Sequence, residues 1–161
     1  MHSLLATLCL CICLTITVAF EENDTQLRPF KVGKKLYFVN PQKLDANTAK
    51  KACEARPGLQ LVAIENDDDN LAIQTELIRA FGNTAGQFFW TSGKQIPSGS
   101  DNWVWLSTGK TMDDFFWDDG EPFNTKGDCL KALGMIEGKE LTWYVENCNK
   151  ALMSICEAVS K

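Results

Sequence analysis

The side chains able to do chemistry in this chain are carboxylates, and they lack the usual partners. The single histidine is His2, inside an apolar leader-like stretch. Beyond residue 20, Ser-His-Asp and Cys-His nucleophiles and His-ligated zinc are therefore excluded. The acids gather in two places: the run Asp67-Asp68-Asp69, and the set Asp118, Asp119, Glu121 and Asp128. Clustered oxygens are what calcium needs, and two carboxylates across a cleft are what glycoside hydrolysis needs. The run at 67–69 has neither the alternate spacing nor the central glycine and terminal glutamate of a calcium loop. It follows Asn66, a good N-cap, so it reads as the first turn of a helix whose macrodipole it complements. The second set is built around Glu121-Pro122-Phe123, where an X-Pro bond gives the backbone access to a cis geometry.

These groups sit in an acidic chain of 161 residues with 16 basic and 21 acidic side chains, net −5. No basic stripe exists for nucleic acid or an anionic membrane surface. Residues 3 to 19 carry no charge and acids begin at Glu21, so 1–20 is expected to be a signal peptide, with no membrane insertion after cleavage. Residues 21–30 are expected to be a polar tail carrying the sequon Asn23-Asp24-Thr25, a site for a glycan. Residues 31–161 then form one domain. Cys53, Cys129, Cys148 and Cys156 lie beyond the leader. In an exported chain they imply two disulfides, with three possible pairings. Their spacing does not suit zinc.

The elements that must position these residues alternate in type. Lys35–Val39 reads as a strand stopped by Asn40-Pro41. A helix is expected from Asp45 or Asn47, with Ala49, Ala52 and Cys53 on one face and Pro57-Gly58 after it. Leu59–Ile64 reads as a buried strand. A second helix, capped by Asn66 with Asp69 at its third position, is expected to bury a stripe of Leu71, Ile78 and Phe81 before Gly82. Phe88-Phe89-Trp90-Thr91-Ser92-Gly93 and Trp103-Val104-Trp105-Leu106 read as aromatic core strands joined by a Gly/Ser/Pro loop.

The order of these segments, followed by Trp117-x-x-Gly120-Glu121-Pro122, Cys129, Trp143, Cys148 and Cys156-Glu157, resembles a C-type lectin-like domain over nearly everything after residue 30. The Phe89–Gly93 wording is similar to the small secreted lectins of insects. The resemblance implies an α+β fold: two helices, a pair of small antiparallel sheets and a long ligand-binding loop. It also implies the pairing Cys53–Cys156 and Cys129–Cys148.

In sugar-binding members, calcium is held by both residues flanking a cis proline, by an acid two before the third cysteine, and by an Asn-Asp pair after the tryptophan. Carried across, those positions hold Glu121, Phe123, Gly127, Tyr144 and Val145. Only Glu121 keeps a carboxylate at its family position, here read as a solvated loop acid. No cofactor is expected, calcium being the one ion the frame could recruit. The resemblance therefore implies a secreted, extracellular recognition protein rather than an enzyme. Its partner is a glycan or glycoprotein, with an extracellular protein as the alternative. The ligand-binding residues are expected to be Glu121, Phe123, Asn124, Asp128 and Tyr144.

Overall fold

The computed structural model describes residues 26–113, 115–123 and 126–159; the expected leader, Asn23 and Asn124 lie outside them. Strands β1 (Arg28–Val32) and β2 (Lys35–Leu44) form an antiparallel hairpin turned at Gly33, whose φ of 56° suits glycine. Two expectations change here. Arg28 to Phe30, assigned to a polar tail, belong to β1, because Phe30 is buried and stacks on Tyr37 at 5.3 Å. Nor does Pro41 end β2. The register with the last strand shifts between Asn40 and Leu44, so the missing proline N–H falls where the ladder is already broken.

Helix α1 (Ala46–Glu54) is capped by Asp45, whose Oδ1 accepts from Thr48 N at 3.0 Å, and it buries Ala46, Ala49 and Cys53. Helix α2 (Asp67–Phe81) is capped by Asn66, whose Oδ1 accepts from Asp69 N at 2.8 Å, and Asp67, Asp68 and Asp69 fill its first turn. Its buried stripe is Asn70, Ile73, Gln74 and Leu77, not the expected Leu71, Ile78 and Phe81. Leu71 is 53% exposed. The two amides replace apolar residues because they meet carbonyls. Asn70 Nδ2 donates to Leu141 O, and Gln74 Nε2 donates to Ile136 O and Lys139 O while Met135 N donates to Gln74 Oε1. A loop buried at both its ends, Met135 and Leu141, thus finds its hydrogen bonds on a helix.

The remaining strands are β3 (Leu59–Leu61), β4 (Gln87–Gln95), β5 (Trp103–Trp105), β6 (Cys129–Gly134), β7 (Thr142–Glu146) and β8 (Leu152–Ala158). The order is β1-β2-β8-β4-β6-β7, with β3 also on β8 and β5 on β4. The two antiparallel groups expected from the sequence are both present. A short parallel pairing, Phe89↔Met153 and Trp90↔Ser154, joins them into one mixed sheet.

The disulfides are Cys53–Cys156, tying α1 to β8, and Cys129–Cys148. Their separations of 103 and 19 residues correspond to about 4.7 and 3 kcal/mol of removed chain entropy. Phe89, Trp90, Trp103, Trp105 and Trp143 are buried, so the aromatic runs are core. Trp90 Nε1 reaches two carbonyls at once, Leu44 O at 2.8 Å and Lys150 O at 3.2 Å.

Candidate functional site: the long loop

The stretch between β5 and β6 runs without a strand and is anchored on β7. Trp143 N donates to Phe116 O at 2.6 Å, and Asp118 N donates to Trp143 O at 3.1 Å. Glu121 N then donates to Asp118 O at 2.9 Å across a turn at Gly120, whose φ is 82°. The bond Glu121–Pro122 is cis, the geometry that the family resemblance implies.

The carboxylate of Glu121 is not solvated. Its side chain is only 3% exposed. Oε2 accepts from Phe123 N at 2.8 Å and from Val145 N at 3.1 Å, and Oε1 meets Lys126 Nζ at 2.6 Å. The ammonium also lies 5.2 Å from the centre of the Phe123 ring. Burial pushes the Glu121 carboxyl up. The hydrogen bonds from Lys126, Phe123 and Val145, with the Lys126 charge, outweigh it and hold the carboxyl below its ordinary value. Hydrogen bonds to an ionised group contribute about 1.5–3 kcal/mol each, so this cluster is a clamp between loop and strand.

The other expected site residues are dispersed. Phe123 is 51% exposed. Asp128 accepts from Ser98 Oγ at 2.6 Å and, through its carbonyl, from Gln95 N, which ties it to the end of β4 and the turn after it rather than to Glu121. Tyr144 stands on the outer face of β7, its ring edge-on to Phe88 at 5.3 Å. Burial raises its phenol, with Asp118 adding in the same direction. Asn124 is not among the described residues.

The positions at which the family resemblance implies calcium ligands hold structural residues here. Val145 is fully buried. A Cβ on Gly127 would lie 2.4 Å from Glu146 O, and its φ is 153°. Neither position has room for an acid pointing at Glu121.

Two contributors escaped the sequence reading. Lys126 is one, although a cation five residues after Glu121 was a visible signal. Phe115 is the other: 47% exposed, it stacks on Trp117 at 6.1 Å, and Trp117 in turn meets Trp103 and Trp143 edge-on. A phenylalanine beside the Trp117 motif carried no distinguishing pattern.

A second cleft, of about 290 Å³, lies between β8 and the start of α2. Here Lys110 meets Glu65 at 2.6 Å and Lys35 meets Asp69 at 3.2 Å. Glu157 accepts from Gln60 Nε2 and Ala63 N. Burial pushes its carboxyl above the ordinary value, with Glu65 reinforcing the shift. Among the described residues, no group of three or more His, Cys, Asp or Glu could hold a metal.

A mixed sheet with two helices, a long disulfide and a short one, and a loop docked through a Glu–cis-Pro turn define a C-type lectin-like fold. Residues 42–158 match the family model described as Lectin C-type domain, and the chain belongs to that family. Its fold is similar to that of human lithostathine (TM-score 0.67, 16% identity, 83% of this chain and 88% of that one). It is also similar to the carbohydrate-recognition domain of a mouse scavenger receptor C-type lectin (TM-score 0.63, 23% identity, 84% and 94%). A third similar fold is that of a Ca²⁺-dependent type II antifreeze protein in its Ca²⁺-free form (TM-score 0.65, 23% identity, 81% and 97%). The narrower likeness to insect lectins rests on the Phe89–Gly93 wording alone.

The loop does not fit the calcium ion that many members of the family carry. Both oxygens of Glu121 are engaged, one by an ammonium, and calcium requires about six to eight oxygens.

Proposed function

We propose that this chain is an exported recognition module that takes a glycan or glycoconjugate, without calcium, on the aromatic surface of its long loop. The observation that carries the reading is the Glu121–Lys126 clamp, in which a side-chain cation engages the carboxylate that sugar-binding members of the family would offer to calcium. What the loop offers instead is ring surface. Phe115 and Phe123 are half exposed, and Trp117 backs Phe115; aromatic faces pack against the C–H faces of sugars and leave their hydroxyls to water. Two disulfides support an oxidising, extracellular setting. Export through residues 1–20 and glycosylation at Asn23 belong to the same reading. Hydrolysis lacks support, because Glu121 and Asp128 are each tied to other partners rather than to a shared cleft.

Protein binding on the same surface is the second reading. It is favoured by the bare phenyl rings of Phe115 and Phe123, which suit interface anchors equally well. A glycan array probed with and without chelator, beside a pull-down from extracellular fluid, decides between them. Glycan binding should survive chelator and weaken at least about tenfold in Phe123→Ala. Calcium should leave the melting midpoint within error, whereas a site filled at a hundred times its Kd would add about 2.7 kcal/mol. Chelator-sensitive sugar binding would overturn the proposal. A blank array with a Phe123-dependent protein partner would install the second reading.

A further inference from the structure

We infer a second binding site, separate from the long loop and independent of its reading: a groove that takes an acidic sugar, one bearing a sulfate ester or carboxylate. The groove lies where the end of β2 and the start of β8 meet the start of β4. It encloses about 270 Å³ and is lined chiefly by Lys43, Gln87, Phe88, Lys150, Leu152 and Met153. That is just below the roughly 300–1,000 Å³ of small-molecule sites, so it suits one or two sugar units.

Charge complementarity picks the ligand. The chain is acidic overall, net −5, yet both charged residues lining this groove are lysines. Both are exposed, and among the described residues neither ammonium has an ion-pair partner, unlike Lys35, Lys50, Lys110, Lys126 and Lys131. The carboxylate that does feel Lys150, Glu146, is held by Lys131 at 2.8 Å.

The groove is also built in advance of any ligand. The buried Trp90 indole donates to both Leu44 O and Lys150 O, so one side chain fixes the spacing of the two lysine-bearing segments. Leu44 pairs with Leu152, Ala46 N donates to Cys148 O at 2.9 Å, and Cys148 is disulfide-bonded to β6. Phe88 is held by Tyr144 edge-on and by Lys131, whose Nζ lies 4.0 Å from the ring centre. An anion between Lys43 and Lys150 places the attached ring against Phe88, Leu152 and Met153, with the Gln87 amide available to its hydroxyls. An acidic peptide would satisfy the lysines but not use this ring-sized apolar floor beside an amide.

The test is amide chemical-shift titration of the disulfide-bonded protein with lactose 6′-sulfate, against lactose, sodium sulfate and hexaglutamate. The sulfated sugar should shift the amides of residues 43–44, 86–88 and 150–153. Its affinity should fall at least about tenfold in Lys43→Ala/Lys150→Ala and decline with salt, while Phe123→Ala leaves it unchanged. Lactose should bind at least about tenfold more weakly, since it lacks the charged contact. Shifts confined to other residues, or an unaffected double variant, overturn the inference. So does sodium sulfate or hexaglutamate binding as tightly as the sulfated sugar, which would mark a site for an anion alone or for an acidic peptide.

Discussion

Glu121 in the long loop and Glu157 in the β8 cleft are both carboxylates held out of water, and they respond in opposite directions. Glu121 has an ammonium and two backbone N–H donors, and its carboxyl is pulled below the ordinary value. Glu157 accepts from one backbone N–H and one side-chain amide and, among the described residues, forms no ion pair; burial, with Glu65 adding, outweighs the more distant Lys35 and pushes its carboxyl up. Burial alone penalises the charged form at both sites; the number and charge of the donors decide the outcome. One carboxylate therefore stabilises its loop by being ionised, and the other carries its charge at a cost.

The comparison breaks most visibly at Glu121. Glu121→Ala should lose about 3–5 kcal/mol, because an ammonium and two N–H groups lose their acceptor together. Denaturant unfolding measures the loss, and hydrogen exchange should place it at the amides of Phe123 and Val145. A loss below about 1 kcal/mol would reduce the clamp to a surface ion pair.

Gly127→Ala comes next, at about 1–3 kcal/mol, since its Cβ would run into the Glu146 carbonyl. The same geometry changes what a rescue design can do. Restoring oxygens at Phe123, Gly127, Tyr144 and Val145 would place one acid against backbone and another in the core. That variant should unfold rather than acquire calcium dependence, which a melting curve with and without calcium would show.

Lys126→Met keeps most of the volume and removes the charge. Because the lysine is 48% exposed, the expected loss is about 1 kcal/mol. It should be largest near neutral pH and shrink as pH falls through the folded-state value of Glu121, where the wild type loses the same ionised partner.

The smallest effect has the opposite sign. Glu157→Gln keeps an acceptor for Gln60 and Ala63 while removing the charge, so at pH 7 it should be neutral or stabilising by less than about 1 kcal/mol. A raised carboxyl favours the folded state below its unfolded value and loses that advantage as pH climbs through the folded one. The gain should therefore vanish near pH 4. A destabilised Glu157→Gln at pH 7 would mean that the cleft, too, depends on an ionised carboxylate.

The frame was legible where local chemistry decides it. Asp45 and Asn66 act as caps because their side chains satisfy N–H groups two or three residues on, and the Trp and Cys positions were readable through the family resemblance. The frame was hidden where a residue answers a distant partner. Asn70 and Gln74 look like surface residues until the 135–141 loop presents its carbonyls, and Leu71 looks like core until they take its place. The site failed in a related way. Counting the calcium ligands missing at Phe123, Gly127, Tyr144 and Val145 was straightforward, but what replaced them was not. A close approach at Gly127 and an ammonium at Glu121 exist only once the loop is folded onto β7.

The docking of that loop has a consequence for the sheet as a whole. Among the described residues β7 is its last strand, with β6 on one side and no strand on the other. An unpaired strand edge is a template for another chain. Here the outward groups of Trp143 are taken by Phe116 and Asp118, and the outward N–H of Val145 by the carboxylate of Glu121. The Glu121 carboxylate thus covers one donor of this edge against strand addition, and losing it would open the Val145 N–H to a neighbouring molecule. In this chain one carboxylate should therefore limit edge-to-edge association as well as hold its loop.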